Sequence, residues 1–388
     1  MKRYFIVNEY FGSRVYDSKN KTEEYYNSED TEKIRNKLHG NFIEIDHKRT
    51  NQLSSPLKIS MNITKKCNLR CKQCFTESGI CLENELNTKE IYSLFDQMRE
   101  FGTFFICLGG GEPLTRPDLL DILEYGKNKQ LAVSVVSNGL LLTKEYIEQL
   151  NKQNLDTFWI SLDGLEKNHE ALRGIGTYSK ALNALKLLRD NFNGKKAIRV
   201  TLNKNNFNEY RELIKLAEQH KFDLIRITPL IPYGRAKNEN LEITQDEYID
   251  FLKEIRQIKA NIEIIYPEKI TKIKPWIGTN GFGCHCGKEA MWVDATGNCS
   301  PCYFWGEEYN IGNIKNQKFI NIWNKSLEKS IIKGNDTCKN CKHYSICRSG
   351  CRARSLYLFG NLDDIDPLCP LKKTNRFKPP FQVGMEAI

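Results

Sequence analysis

The sequence predicts an α/β fold: six parallel βα units, preceded by a short extension and followed by a cysteine-rich domain. Two observations carry this. Between residues 54 and 235, short stretches of period-two apolar alternation take turns with stretches of helical period. From Cys284 onward the character changes, and nine of the fourteen cysteines fall between residues 284 and 369.

Residues 1–53 are polar and Tyr-rich, with alternating stretches at Tyr4–Val7 and Ser13–Tyr16 that suggest a hairpin, then a helix near Ser28–Leu38. So short a segment buries little core alone. It is expected to pack on the next domain; a peptide-recognition element is the other reading. In 54–235 the first strand carries Leu57, Ile59, Met61 and Ile63 on one face. Asn87 and Thr88 can cap a helix whose Ile91, Leu94, Phe95 and Met98 share a side, and Gly102 is placed to end it. Further strands read at 103–108, 131–136, 156–161, 197–202 and 222–228, with helices at 118–129, 143–153, 178–191 and 206–220. Parallel βα units either curl into a barrel or stack as an open sheet, and in both cases function sits at the strands' C-terminal ends. Residues 236–283 read as a connector with a helix near 244–258 and a strand near 262–266, 284–375 as the cysteine-rich domain, and 376–388 as a tail. In 284–375 a hairpin is expected, from Ala290–Asp294 through a turn at Gly297 to Asn298–Tyr303.

Composition narrows the class. The chain has 388 residues, 40% of them apolar, and no apolar run near the ~20 residues of a membrane span. The opening Met1–Val7 is followed at once by Asn8 and Glu9, without the apolar core of a signal peptide. A soluble, cytoplasmic protein is expected, in which clustered cysteines are metal or cluster ligands rather than disulfides. The net charge of +10 is modest. It suits a solvated basic surface, an acidic peptide or a flavodoxin-type donor. No basic stripe with interleaved aromatics points to nucleic acid.

The chemistry is concentrated after the first strand, in Cys67-Asn-Leu-Arg-Cys71-Lys-Gln-Cys74. Three thiolates on one tight loop can bind three irons of a four-iron cluster and leave the fourth iron open to a ligand. A structural zinc site would need four closed ligands. This C-x3-C-x2-C pattern resembles the signature of the radical S-adenosylmethionine superfamily, whose open iron chelates the amino and carboxylate groups of S-adenosylmethionine. Gln73 departs from the aromatic or His residue usual before the third cysteine; such a residue only packs near the cofactor.

Further motifs follow successive strands. Gly109, Gly110, Gly111, Glu112 and Pro113 resemble the family's GGEP motif at the methionine amine. Ser137 and Asn138 after the third strand, and Ser161 and Asp163 after the fourth, match polar groups facing the cofactor ribose and carboxylate. Arg173 matches an arginine that pairs with that carboxylate, and Ile227 with its neighbours would line the adenine. The resemblance covers about 57–235 and implies a partial (β/α)6 radical S-adenosylmethionine barrel.

The cysteines from 284 to 369 resemble the seven-cysteine SPASM domain, which carries two auxiliary clusters. By that resemblance Cys338, Cys341, Cys347 and Cys369 hold the distal cluster, and Cys286, Cys302 and Cys351 the proximal one. The proximal fourth ligand is Cys284, Cys299, or none. A pair of zinc sites is the other reading of this region. Cys107, mid-strand, reads as a buried apolar residue, and Cys81 has no assigned role.

The resemblance implies three four-iron clusters, S-adenosylmethionine, and hydrogen abstraction by a 5′-deoxyadenosyl radical. Three segments resemble the maturases of ribosomally made peptides, among them the mycofactocin and pyrroloquinoline quinone families: the run from Gly109 to Asp118, Leu172–Ser179, and Cys338–Cys351. They imply a precursor peptide as substrate, with an oxidative crosslink or decarboxylation as product. A flavodoxin- or ferredoxin-type electron donor is implied as partner, and a separate peptide-recognition protein is compatible with it. Rival readings are a haem-pathway propionate decarboxylase, a formylglycine-generating sulfatase maturase, and a non-catalytic metal-binding or electron-carrier module. The last has no need of the glycine and arginine motifs.

Overall fold

The computed structural model describes residues 2–50, 52–267, 284–329, 335–347 and 349–372. The tail at 376–388, the end of the cysteine-rich segment and part of the connector lie outside them. Among the described residues no helix is long and apolar enough to cross a membrane.

Where a hairpin was expected, the N-terminal segment forms a four-stranded sheet. It contains β1 (Tyr4–Glu9), β2 (Gly12–Asp17), β3 (Thr22–Asn27) and β4 (Phe42–Ile45), in the order β3-β2-β1-β4, with helix α1 (Ser28–Lys37) between the last two. Gly12 makes the β1–β2 turn at φ +140°, where a Cβ would meet the Tyr26 carbonyl at 2.2 Å. The sheet is fastened to the rest of the chain. Arg14 is fully buried and donates to Glu9 (2.8 Å), Glu23 (2.9 Å) and Ser55 (3.1 Å). Tyr16 stacks on Phe104 at 4.3 Å, and its hydroxyl donates to the Gln130 carbonyl at 3.1 Å. Lys21 reaches the Leu155 carbonyl at 2.7 Å.

Those anchor points precede strands of a ten-stranded sheet. Its parallel part is β5 (Lys58–Thr64), β6 (Phe105–Gly110), β7 (Ala132–Ser137), β8 (Thr157–Ser161), β9 (Lys195–Leu202), β10 (Leu224–Pro229), β11 (Glu263–Ile265) and β12 (Ala290–Val293). Antiparallel β13 (Asn298–Ser300) and β14 (Gly312–Asn313) complete the order β11-β10-β9-β8-β7-β6-β5-β12-β13-β14. The N-terminal sheet therefore covers the N-terminal ends of these strands, opposite the end expected to carry function. The connecting helices are α2 (Thr88–Phe101), α3 (Leu119–Asn128), α4 (Lys144–Lys152), α5 (Glu166–Arg173), α6 (Thr177–Asn191), α7 (Tyr210–Gln219) and α8 (Gln245–Ile255). α2 has the expected cap: Asn87 and Glu90 form a capping box, and Gly102 closes it at φ +77°.

Strand alternation sorts the side chains. Ile59, Met61, Ile63, Ile106, Leu108, Val135, Ile160, Ile198, Val200 and Ile227 are buried in the core beneath the helices. The intervening residues, among them Lys58, Ser60, Cys107, Arg199 and Arg226, line the inner face. Cys107 was expected as a buried apolar residue; alternation instead turns it inward, within electrostatic reach of Arg199, Arg226 and Lys58. The sheet curls enough for Lys58 on β5 and Arg226 on β10 to border one cavity.

The cysteine-rich region is joined to this sheet. β12 pairs in parallel with β5 and turns back antiparallel into β13, the expected hairpin. After β14 come α9 (Phe319–Lys329), α10 (Asp336–Lys339), α11 (Tyr344–Cys347) and α12 (Arg352–Phe359). The indole of Trp323 donates to the Leu53 carbonyl at 3.2 Å, so α9 also grips the start of the barrel.

Candidate active site

The loop after β5 carries Cys67, Cys71 and Cys74, and it is held on several sides. Cys67 N–H donates to the Gly79 carbonyl (3.1 Å) and Lys72 N–H to the Leu172 carbonyl (2.9 Å). Arg235 donates from Nε to the Cys71 carbonyl (2.8 Å) and from Nη1 to the Ser78 carbonyl (3.1 Å). Gly234, at φ +62°, lets that segment approach: a Cβ there would meet the carbonyls of Phe75 and Cys74 at 2.6 and 2.7 Å. Arg235 is thus a staple of the cysteine loop.

The strand ends meet this loop. Glu112 is 1% exposed. Its carboxylate accepts from the Ser137 hydroxyl (2.7 Å), the Asn138 N–H (2.7 Å) and the Leu114 N–H (3.1 Å). It ties the end of β6 to the end of β7. Burial nevertheless pushes its pKa above the ordinary carboxylate value. Asn138 also donates to Asn68, inside the cysteine loop, at 2.8 Å.

Asp163 is fully buried, and four donors converge on it. Arg173 approaches with Nε (2.9 Å) and Nη2 (2.7 Å), Gln73 with its amide (2.7 Å) and Thr201 with its backbone N–H (2.6 Å). Burial pushes this carboxyl up, but the Arg173 charge and the Thr201 N–H outweigh it and hold the pKa below the usual value. The other Arg173 nitrogen lies 4.0 Å from Cys71 Sγ. Gln73 therefore does more than pack: it links the cysteine loop to the Asp163–Arg173 pair.

The remaining expected residues are placed as follows. Gly109 and Gly110 end β6, Gly111 follows them, and Pro113 opens a short 3-10 turn. Ser161 ends β8. The Ile227 side chain is in the core, so only its backbone can border the inner face, where Arg226 and Thr228 point instead.

The residues fit a cluster and cofactor in this mouth. Three thiols share one loop, and burial pushes the Cys67 thiol up to about 11, so ligation there would release its proton. Gln73 Oε1 is a buried acceptor with no donor among the described residues. A Cβ on Gly111 would meet the Lys66 carbonyl at 2.1 Å, so only glycine lets the loop lie this close to the strand end.

In the C-terminal region two groups of thiols border one cavity of about 420 Å³. Cys284 hydrogen-bonds Cys286, which contacts Cys302 and lies within reach of Cys351. Cys347, Cys369 and Cys338 interact electrostatically, and Cys341 lines the same cavity. Cys299 is fully buried in the apolar core, apart from both groups. Asp366, which the sequence did not single out, organises this region. It accepts from Arg354 twice (2.8 and 2.6 Å), from Cys351 N–H (2.6 Å) and from Leu368 N–H (3.1 Å). Between the two cysteine regions lies an aromatic wall. Phe75, next to Cys74, contacts Trp292, Tyr303 and Phe304 at ring separations of 5.9, 5.0 and 5.0 Å.

Comparison with known proteins agrees with this arrangement. Residues 61–217 match the Radical SAM superfamily, and residues 284–352 match SPASM, an iron-sulfur cluster-binding domain. An AdoMet-dependent heme synthase of Methanosarcina barkeri is 30% identical over 81% of this chain and 97% of its own length. Mycofactocin maturase MftC of Mycobacterium tuberculosis is 28% identical over 82% of this chain and 83% of its own. Streptococcus suis SuiB, solved with S-adenosylmethionine, superposes with a TM-score of 0.76 at 17% identity, covering 96% of this chain and 99% of SuiB. SuiB has also been solved bound to its precursor peptide SuiA. The cysteine loop at the barrel mouth, the motifs around it and the two matched domains together place this chain in the radical S-adenosylmethionine superfamily, as an enzyme with a C-terminal SPASM domain.

Proposed function

We propose that this enzyme oxidatively modifies a ribosomally made precursor peptide, forming a crosslink or removing carbon dioxide. The observation that carries the proposal is the cavity itself. It borders Lys58, Ser60, Arg226 and Thr228 of the barrel and reaches the cysteines of the SPASM domain. A substrate seated there lies between the barrel mouth and the groups that would accept its electron. The similarity to MftC and to peptide-bound SuiB supports a peptide as that substrate.

Cys67, Cys71 and Cys74 would hold the first cluster. Cys338, Cys341, Cys347 and Cys369 would hold the distal auxiliary cluster, and Cys284, Cys286, Cys302 and Cys351 the proximal one. When bound, the first cluster and S-adenosylmethionine supply, after one-electron reduction, a 5′-deoxyadenosyl radical that takes one hydrogen atom from an unactivated carbon. Asp163 orients Arg173, whose Nη1, 4.0 Å from Cys71 Sγ, would be placed to hold the cofactor carboxylate. Glu112 fixes the strand ends around the cofactor amine. Phe75, Trp292, Tyr303 and Phe304 shield the space between the two cysteine regions from water. A flavodoxin- or ferredoxin-type donor supplies the electron. Residues 1–53 pack as a separate sheet behind the barrel; 54–235, 236–283 and 284–375 remain the proposed division of the rest.

The heme synthase relative favours a second reading, in which the substrate is a small molecule that loses carbon dioxide. Intact mass separates them. A candidate precursor peptide, taken from any short reading frame beside the gene and incubated anaerobically with reconstituted enzyme, S-adenosylmethionine and reductant, should lose two hydrogens, with or without carbon dioxide. An unchanged peptide, with 5′-deoxyadenosine still formed, would transfer the proposal to the small molecule.

A further inference from the structure

Among the described residues, three arginines set deep in the fold have carboxylate partners, and three cations of the inner face form no ion pair. Arg14 meets Glu9 and Glu23, Arg173 meets Asp163, and Arg354 meets Asp366. Arg199 on β9 and Arg226 on β10 are direct register partners on the inner face of the sheet. Like charges set directly opposite repel one another. Lys58 faces them from β5, exposed to the cavity. Among the described residues none of the three forms an ion pair or donates a side-chain hydrogen bond, and Arg226 Nε is buried without a partner. The face of Trp159, 5.4 Å away, is the aromatic contact of Arg226.

Glu289 acts electrostatically on Lys58 and Glu263 on Arg226, but no ion pair joins either carboxylate to these cations. Asp156 accepts from the hydroxyls of Ser134 and Thr157, each at 3.1 Å. Glu289 lies 2.8 Å from His285. Glu263, on neighbouring β11, is exposed. Nor does a cluster account for the arginines. Lys58 is within reach of Cys286, but the electrostatic neighbours of Arg226 are Arg199, Cys107 and Glu263. Water reaches the half-buried arginines and the exposed Lys58 and offsets part of the repulsion among these like charges, and an anion from outside the chain would offset the rest.

We infer that Arg199 and Arg226, with Lys58 facing them, bind a carboxylate of the substrate inside the barrel. This rests on the reading above that the substrate enters the cavity, and it adds a substrate class: the part that enters is anionic. The carboxylate can belong to a peptide, at its C-terminus or an acidic side chain, or to a propionate of a small molecule.

The test is ligand-dependent thermal stability of the reconstituted holoenzyme with S-adenosylmethionine bound. The probes are N-acetyl-diglycine, its C-terminal amide, and glutarate. Both carboxylates should raise the unfolding midpoint and the amide should not. Arg226→Gln and Arg199→Gln should each weaken carboxylate binding at least tenfold, and Arg226→Lys less. Without ligand, either Gln variant should be as stable as the parent or more so, because a repulsion is gone, and visible absorbance should show full cluster content. Equal shifts from acid and amide, or undiminished shifts in both Gln variants, would overturn the inference. A larger shift from N-acetyl-diglycine assigns the carboxylate to a peptide, and a larger one from glutarate to a small molecule; either supports the site. If these shifts depend on Arg226 but no peptide is modified, the site stands and the peptide reading fails. If Arg226→Gln modifies a peptide with unchanged KM, the reverse holds.

Discussion

Replacing Asp163 by Ala leaves the Arg173 guanidinium buried with no counter-charge. The Arg173 side chain is 12% exposed and that of Asp163 fully buried, so solvent screens the pair little. Removing one partner of such a pair costs about 3–5 kcal/mol. The Thr201 N–H and the Gln73 amide lose their acceptor in the same step. At roughly 2–4 °C per kcal/mol for a domain of this size, the unfolding midpoint of the holoenzyme should fall by ~6–20 °C. Asp163→Asn should not rescue it, because all four contacts are donors and the amide NH2 must face one of them. Asp163→Ala combined with Arg173→Ala should recover part of the loss, since the uncompensated charge is gone. The pH dependence has a definite sign. Arg173 and the Thr201 N–H hold Asp163 below its ordinary value of 3.8 against burial. Its stabilisation is therefore complete above that value and lost as pH falls through the lower, folded one. Thermal unfolding followed by circular dichroism reads all three variants. A midpoint for Asp163→Ala within about 2 °C of the parent, with unchanged 5′-deoxyadenosine formation, would refute the proposed anchoring of Arg173.

Three further outcomes are expected. Cys67, Cys71 or Cys74 changed to Ala should end reductive cleavage of S-adenosylmethionine, measured as 5′-deoxyadenosine; retained cleavage removes these residues from the first cluster. Cys341→Ala or Cys347→Ala should leave cleavage in place while modified product disappears; full product formation denies the distal cluster a part. Glu112 is raised by burial above its ordinary 4.5, so its contribution to stability is complete below that value and lost as pH rises through the raised one. The midpoint of the parent should therefore fall relative to Glu112→Gln as the pH rises above 4.5, and parallel profiles would contradict this.

The six βα units were legible because each strand has a one-sided apolar pattern and each helix an apolar stripe. Boundaries moved by one to three residues at most strands. What escaped was set by tertiary context. β3 reads Thr-Glu-Glu-Tyr-Tyr-Asn, is largely exposed, and is a strand through its pairing with β2. α5 is eight residues long with only His169 and Leu172 buried, too few to show a period. Cys107, Arg199 and Arg226 sit on the inner face, where apolar alternation carries no signal. Gln73 and Asp366 act through partners far along the chain, so their roles could not be read locally. The cysteine spacings, by contrast, were legible in full, because ligand loops are local. That Cys299 lies in the core while Cys284 lies beside Cys286 could be seen only in the fold, since β13 carries Cys299 inward.

The most direct measurement uses a candidate precursor peptide made with deuterated residues. It is incubated anaerobically with the holoenzyme, S-adenosylmethionine and reductant, and the mass of the 5′-deoxyadenosine is read. Deuterium in the nucleoside, together with loss of two hydrogens from the peptide, is the predicted result. Undeuterated 5′-deoxyadenosine beside an unaltered peptide would contradict peptide modification as the reaction of this enzyme.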